Sequence, residues 1–166
     1  MSYRIGQGID VHRFDARRPL VLCGVRLEGE AGLAGHSDAD VALHAVTDAV
    51  LGAVGAGDIG EHFPPSDPRW RDADSGVFLA RALELAADGG FRVVNCDLTI
   101  IGERPRLSPH RNRLRTALAR RLGVEPSRVS VKATTAEGSG WIGRGEGLAV
   151  LAVVLLRCAG DDPGQA

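Results

Sequence analysis

The chain has 166 residues, 44% of them hydrophobic and 25% charged, with 20 basic and 21 acidic residues and a formal net charge of −1. This length suits one ordinary globular domain, and the balanced charge excludes the basic excess expected of a nucleic-acid binder. Three widely spaced cysteines, Cys23, Cys96 and Cys158, exclude a disulfide framework or a Cys-x-x-Cys metal knuckle, and no uncharged apolar run reaches the ~18 residues of a membrane span.

Residues 3–12 read as a strand. Ile5, Ile9 and Val11 fall on one side, and Gly6, Gly8, Asp10 and His12 on the other. The glycines leave room for a close backbone approach beside Asp10 and His12. Residues 19–27 read as a second strand, and the glycine-rich 29–35 as a turn. Asp38 or Asp40 caps a helix over 41–54. Gly55, Gly57 and Gly60 open a loop that Pro64, Pro65 and Pro68 extend. A helix over 75–87 places Val77, Phe78, Ala82 and Leu85 at helical spacing, and Gly89–Gly90 ends it. A β-branched strand follows over 91–101. Ser108 and Pro109 suit the N-cap and first position of a helix that stops at Gly123. Strands over 128–135 and 148–157 precede a polar, frayed tail, 160–166. The order β-β-α-α-β-α-β-β predicts a single α+β domain over 1–159, with helices on one face of a mixed β-sheet. The first ten residues hold neither an apolar signal region nor an Arg/Ser-rich lead, so a cytoplasmic location is expected, with no membrane or nucleic-acid partner.

Several clusters carry chemistry. Asp10 and His12 form a compact pair on one strand face. His36-Ser37-Asp38-Ala39-Asp40 is a polar turn feeding a helix N-terminus, a place that suits anions. His44 lies one turn inside that helix; Asp48, four residues on, shares its face and is positioned to hold its second ring nitrogen. Asp10, His12 and His44 together would give three N/O ligands and an open position, as in catalytic zinc sites. The spacing alone does not require the three to converge, and a core histidine is the plain alternative for His44. Lys132 is the lone lysine among arginines. With Thr134, Thr135, Ala136 and Glu137 it forms a strand end with phosphate donors and one carboxylate suited to a hard cation. The plain alternative there is a Thr-rich loop. Gly143-Arg144-Gly145-Glu146-Gly147 matches neither the Walker pattern nor the dinucleotide fingerprint. His62 and His110 read as surface or structural.

Asp10-x-His12, His36-Ser37-Asp38-Ala39-Asp40 with His44, Asp58-Ile59-Gly60-x-x-Phe63-Pro64, Lys132-Ala133-Thr134-Thr135 and Gly143-Arg144-Gly145-Glu146-Gly147 occur in one order. In this the chain resembles the family of 2-C-methyl-D-erythritol 2,4-cyclodiphosphate synthases, over about residues 3–157. The resemblance implies a fold of the trimeric chorismate-mutase-like class and a homotrimer with active sites between adjacent subunits. It implies one Zn2+ per subunit on Asp10, His12 and His44. A second divalent ion, Mg2+ or Mn2+, would lie between Glu137 and the substrate phosphates. His36, Thr135 and Lys132 are the implied catalytic residues, with Ser37 beside them. Asp58, Ile59 and Gly60 match the loop that holds the erythritol, continued by Phe63, Pro64, Pro65, Ser66 and Asp67. Gly102, Glu103, Arg104, Pro105, Arg106, Leu107 and Ser108 match the cytidine segment, and Thr134, Ala136, Trp141 and Arg144 complete the substrate contacts. Trp141 stands where the family usually has Phe, Arg106 where it has Lys, and Ile9 where it has Phe. The implied reaction closes a cyclic diphosphate on a cytidine diphosphate-linked substrate and releases CMP. A metal-dependent phosphohydrolase is the rival reading. So is a non-catalytic trimer whose central cavity holds an isoprenoid diphosphate, with Arg144 and Glu146 near the threefold axis.

Overall fold

The computed structural model describes residues 2–161. The first strand, β1 (Tyr3–Leu22), runs well beyond its expected end, and a turn at Cys23 and Gly24 folds it back into β2 (Val25–Leu33). The expected strand over 19–27 is therefore the end of one strand and the start of the next. The turn was not legible because both its residues have positive φ, 55° and 74°, without the Asn-Gly or Asp-Gly pair that marks such hairpins. Most of the expected turn over 29–35 is likewise β2.

Helix α1 (Val41–Val54) follows, then a short α2 (Ile59–His62) and a 3₁₀ turn at Pro68–Trp70. Helix α3 (Gly76–Asp88) leads to β3 (Phe91–Ile101), α4 (Arg111–Leu122), β4 (Val129–Thr134), a short α5 (Gly140–Gly143) and β5 (Gly147–Cys158). Of the tail expected over 160–166, Gly160 and Asp161 continue a 3₁₀ turn, Ala159–Asp161; the rest lies outside the described residues.

The strands form one mixed sheet in the order β2-β1-β5-β3-β4, with only β3 and β4 parallel. Its even-numbered β1 face is covered by α1, and the contact is unusually close. A Cβ on Gly6 would lie 1.7 Å from the Ala49 carbonyl oxygen, and one on Gly8 2.0 Å from that of Ala45. The helix backbone thus rests on the strand backbone, which brings His44 next to Asp10. Leu43, Val46 and Val50 of α1 pack into one core with Leu98, Val150, Ala152 and Val154, all fully buried. Each buried Leu or Val side chain contributes about 1.5–3 kcal/mol.

Two helix starts differ from expectation. In α3 the buried face is Phe78, Leu79, Ala82 and Ala86, while Val77 is 50% exposed. Ser75 stands at its N-cap position without capping, because its hydroxyl is used elsewhere. Helix α4 begins only at Arg111: the Ser108 hydroxyl accepts from Arg106 Nε at 3.2 Å instead of capping. Cys23 and Cys96 are buried and Cys158 half-buried, all free. No described helix is long and apolar enough to cross a membrane. The opposite face of the sheet leaves Tyr3, Ile5, Ile9, Val11 and Val153 exposed, Ile5 by 72%.

A candidate metal centre beside a polar loop

Alternation along β1 sends Asp10 and His12 to the helix-covered face, and α1 brings His44 down onto them. Ligand atoms of the three lie within 4.8 Å of one another. Both rings converge on one oxygen: Asp10 Oδ2 is 2.9 Å from His12 Nε2 and 3.0 Å from His44 Nδ1. Asp10 Oδ1 turns away to accept the Val11 N–H at 2.8 Å.

The outer nitrogens are also held. His12 Nδ1 donates to the Ala34 carbonyl. His44 Nε2 lies 2.8 Å from Ser75 Oγ and 3.1 Å from Ser37 Oγ. Ser75 in turn donates to the Asp38 carboxylate. Asp38 therefore orients Ser75 to accept from His44 Nε2–H, which leaves Nδ1 for a cation. Such outer partners fix tautomer and ring direction in metal-bound histidines. The donor set is one carboxylate oxygen and two imidazole nitrogens, so the group fits a metal ion.

The expected partner Asp48 does not reach the second nitrogen of His44. Its Oδ1 accepts the Ile59 N–H at 2.8 Å and pins the start of α2. Helical spacing put it on the right face, but an unsatisfied helix N-terminus claimed it first. Burial raises its carboxyl, against that N–H bond. For Asp10, burial also pushes upward, but the hydrogen bonds and charges of His12 and His44 hold the carboxyl well below the usual carboxylate range. Burial works to lower His12, and the Asp10 carboxylate overrides it to raise the imidazole. Asp40, the actual α1 cap, accepts from the N–H groups of Cys23, Gly24, Ala42 and Leu43 and so ties the β1–β2 turn to the helix. Its complete burial pushes the carboxyl up to about 6.

A cavity of about 270 Å³ opens beside the triad, with His36, Ser37, Ile59, Gly60 and Pro65 on its wall and Phe63, Trp70 and Phe78 as an aromatic side. Phe63 packs on Phe78 with ring centroids 4.5 Å apart and on the Trp70 edge at 5.1 Å. Asp58 caps α2 through Glu61 N–H at 3.0 Å, and the Asp67 carboxylate is engaged by Arg69. A larger hollow of about 710 Å³ lies at the far end of β3 and β5, with Phe91, Arg120 and Arg157 on its wall, and shares no residue with this group. Its Arg120 and Arg121 sit at the C-terminus of α4, where cations suit the helix dipole.

The second predicted cluster stands apart. Lys132 faces Thr99, Leu151 and Ile9 across the sheet, so it lies on the open face, opposite to Asp10. Two strands separate β4 from β1, roughly 14 Å at ~4.8 Å per step. Lys132 pairs with Asp97 at 2.6 Å. Thr135 Oγ1 donates to Glu137 Oε1 at 2.6 Å, and the Thr134 hydroxyl lies a long 3.4 Å from the Thr135 carbonyl. Glu103 accepts the Ala136 N–H at 2.9 Å and so braces this loop. Arg104 stacks over Phe14 at 4.7 Å, Pro105 and Leu107 are buried, and Gly102 donates to the Thr134 carbonyl at 3.0 Å. Arg144 pairs with Glu146 at 2.6 Å, beside a half-buried Trp141. The fold thus assembles the candidate metal triad with His36 and Ser37, and leaves Lys132 and the 134–137 loop elsewhere on the chain. Ser75, Asp38 and the Ala34 carbonyl were missed as supports, since each acts from a distant part of the sequence.

The sequence profile of the YgbB family matches residues 3–157. The chain belongs to the YgbB family. A relative from Geobacillus kaustophilus, named 2-C-methyl-D-erythritol 2,4-cyclodiphosphate synthase, is 57% identical over 93% of this chain and 98% of its own length. A bifunctional enzyme IspD/IspF of Hyphomonas neptunium is 56% identical over 92% of this chain, which spans only 40% of that fused protein. A solved structure of a 2C-methyl-D-erythritol-2,4-cyclodiphosphate synthase in a CDP-bound form is 42% identical and superposes with a TM-score of 0.86, over 93% of this chain and all of that one. This YgbB-family chain therefore shares its fold, and not only its motifs, with that synthase.

Proposed function

We propose that this chain converts 4-diphosphocytidyl-2-C-methyl-D-erythritol 2-phosphate to 2-C-methyl-D-erythritol 2,4-cyclodiphosphate and CMP, as a cytoplasmic enzyme of the non-mevalonate isoprenoid pathway. The observation that carries the reading is the converged triad, with both outer ring nitrogens held, in a chain 57% identical to a synthase of that name. Residues 1–159 form the synthase domain. Asp10, His12 and His44 would hold Zn2+, one per subunit, and Glu137 a second ion, Mg2+ or Mn2+, with the substrate phosphates. When bound, these ions supply charge neutralisation and Lewis-acid polarisation of phosphoryl oxygens.

The 2-phosphate attacks the β-phosphorus as an anion, so the chain needs no strong base. Its task is to hold two anionic groups together, an electrostatic and positioning problem. His36 and Thr135 stabilise the charge that develops in transfer, and Lys132 exchanges Asp97 for a phosphate oxygen. The loop 58–67 holds the erythritol, and 102–108 the cytidine. Because Lys132, Thr135 and Glu137 lie apart from the triad within one chain, the complete site forms between adjacent subunits of a homotrimer of the chorismate-mutase-like class. The exposed apolar residues of β1 and β5 support that assembly, since such a patch is normally covered.

The test is to incubate the purified protein with the cytidyl substrate, with Mg2+ and with a chelator, and to follow both products by mass. Stoichiometric CMP with an unhydrated cyclic diphosphate, lost on chelation, is the expected outcome. A product one water heavier would instead mark a phosphohydrolase. Absence of CMP would leave a binding protein, the isoprenoid-diphosphate trimer among the choices.

A further inference from the structure

The pairing of β1 with β2 is regular as far as Asp15 opposite Gly32, but Pro19 then faces Ala31, so residues 16–18 are extra on β1 and bulge out. Bulges re-aim side chains. Gly32 makes room for this one: a Cβ there would lie 2.4 Å from the Arg18 carbonyl oxygen and 2.3 Å from that of Pro19. The two arginines of the bulge take opposite directions. Arg17 is 89% exposed and folds back on Asp15. Arg18 turns inward, with 24% of its side chain exposed.

The Arg18 guanidinium donates to two carbonyls, that of Gly35 through Nη1 at 2.5 Å and that of Ser37 through Nη2. These residues flank His36. The carbonyl between them, that of His36, accepts the Asp72 N–H at 2.7 Å. The Asp72 carboxylate lies 3.5 Å from Arg18 Nη2. Three successive carbonyls are thus gripped by one arginine and one backbone N–H. Among the described residues, no side chain or backbone group hydrogen-bonds the His36 ring. The place of that ring beside the metal-centre cavity rests on the grip of its backbone.

We propose that Arg18 is a positioning residue for His36. The proposal rests on the cyclase reading given above. A guanidinium can span two carbonyls in a fixed plane, with charge-assisted bonds to both; a lysine ammonium is a point donor without that planar fork. Misplacing a reacting group by ~1 Å can cost 10²-fold in rate. Arg18→Ala is expected to lower kcat about 10- to 100-fold, with KM little changed. Zinc content and melting temperature stay close to those of the unaltered protein. Arg18→Lys recovers part of the loss, and added guanidinium recovers kcat in Arg18→Ala.

The decisive comparison is a double-mutant cycle. If Arg18 acts through His36, removing it from a His36→Ala protein costs little more. A ring signal of His36 that is single in the unaltered protein by NMR, and broadened or split in Arg18→Ala, is the readout independent of turnover. The proposal is overturned by an unchanged ring signal, by kcat in Arg18→Ala within about twofold of normal, or by fully additive losses in the cycle. Unaltered protein that releases no CMP would remove the cyclase reading, and the NMR comparison alone would then decide the role of Arg18.

Discussion

Asp10, His12 and His44 sit on the helix-covered face of the sheet, and every imidazole nitrogen there has a partner within the chain. Lys132, Thr135 and Glu137 sit on and just after the edge strand β4, exposed, and among the described residues their side chains bond to Asp97 or to one another. The first group is completed by folding alone. The second is set in place but left facing outward, and under the proposed function its partners would be substrate, ion or another copy of the chain.

The largest effect should come from the finished half. His12→Ala removes a proposed zinc ligand whose other nitrogen is already committed to Ala34. Turnover should fall by about 10³-fold or more, beyond the range of a single donor, with zinc lost by elemental analysis. Retained zinc would separate the triad from the metal. Thr135→Ala probes the other half. A loss of roughly 10²–10³-fold in rate is expected with zinc content unchanged, and near-normal turnover would remove Thr135 from the chemistry. Ile9→Asp places a charge on the open face, on the side of β1 opposite to Asp10 and with two strands between it and Lys132. It should yield monomers by sedimentation that keep zinc and lose about 10²-fold in turnover; an active monomer would show that one chain suffices. The smallest effect belongs to Ser75→Ala, which leaves all three ligands in place but unties His44 Nε2. Zinc affinity, measured by competition with a chromophoric chelator, should weaken by about 10- to 100-fold. An unchanged affinity would mean that Ser37 alone orients the ring.

Much of the finished half could be read from sequence, because strand alternation puts Asp10 and His12 together whatever the rest of the fold does. Gly6 and Gly8 announced a close neighbour on that face, and α1 is that neighbour. Asp48 misled for a related reason: helical spacing gives direction, but the nearest unsatisfied N–H decides the partner. Ser75 and Arg18 left no local signal. Each reaches a residue 17 to 31 positions away in sequence, and such contacts exist only once the chain is folded. The long first strand was hidden by a turn in which Cys23, and not Asn or Asp, precedes the glycine.

The backbone-on-backbone contact of β1 with α1 has a consequence for how this centre can change. Where side chains separate two elements, their gap can drift as cores are repacked. Here the gap between the strand that carries Asp10 and His12 and the helix that carries His44 is fixed by carbonyl oxygens lying where Gly6 and Gly8 have no Cβ. The spacing of the three candidate ligands is inherited from peptide geometry. Substitutions elsewhere in the core would erode stability well before they retuned the fit to an ion, whereas a single methyl group at Gly8 would shift one ligand against the other two.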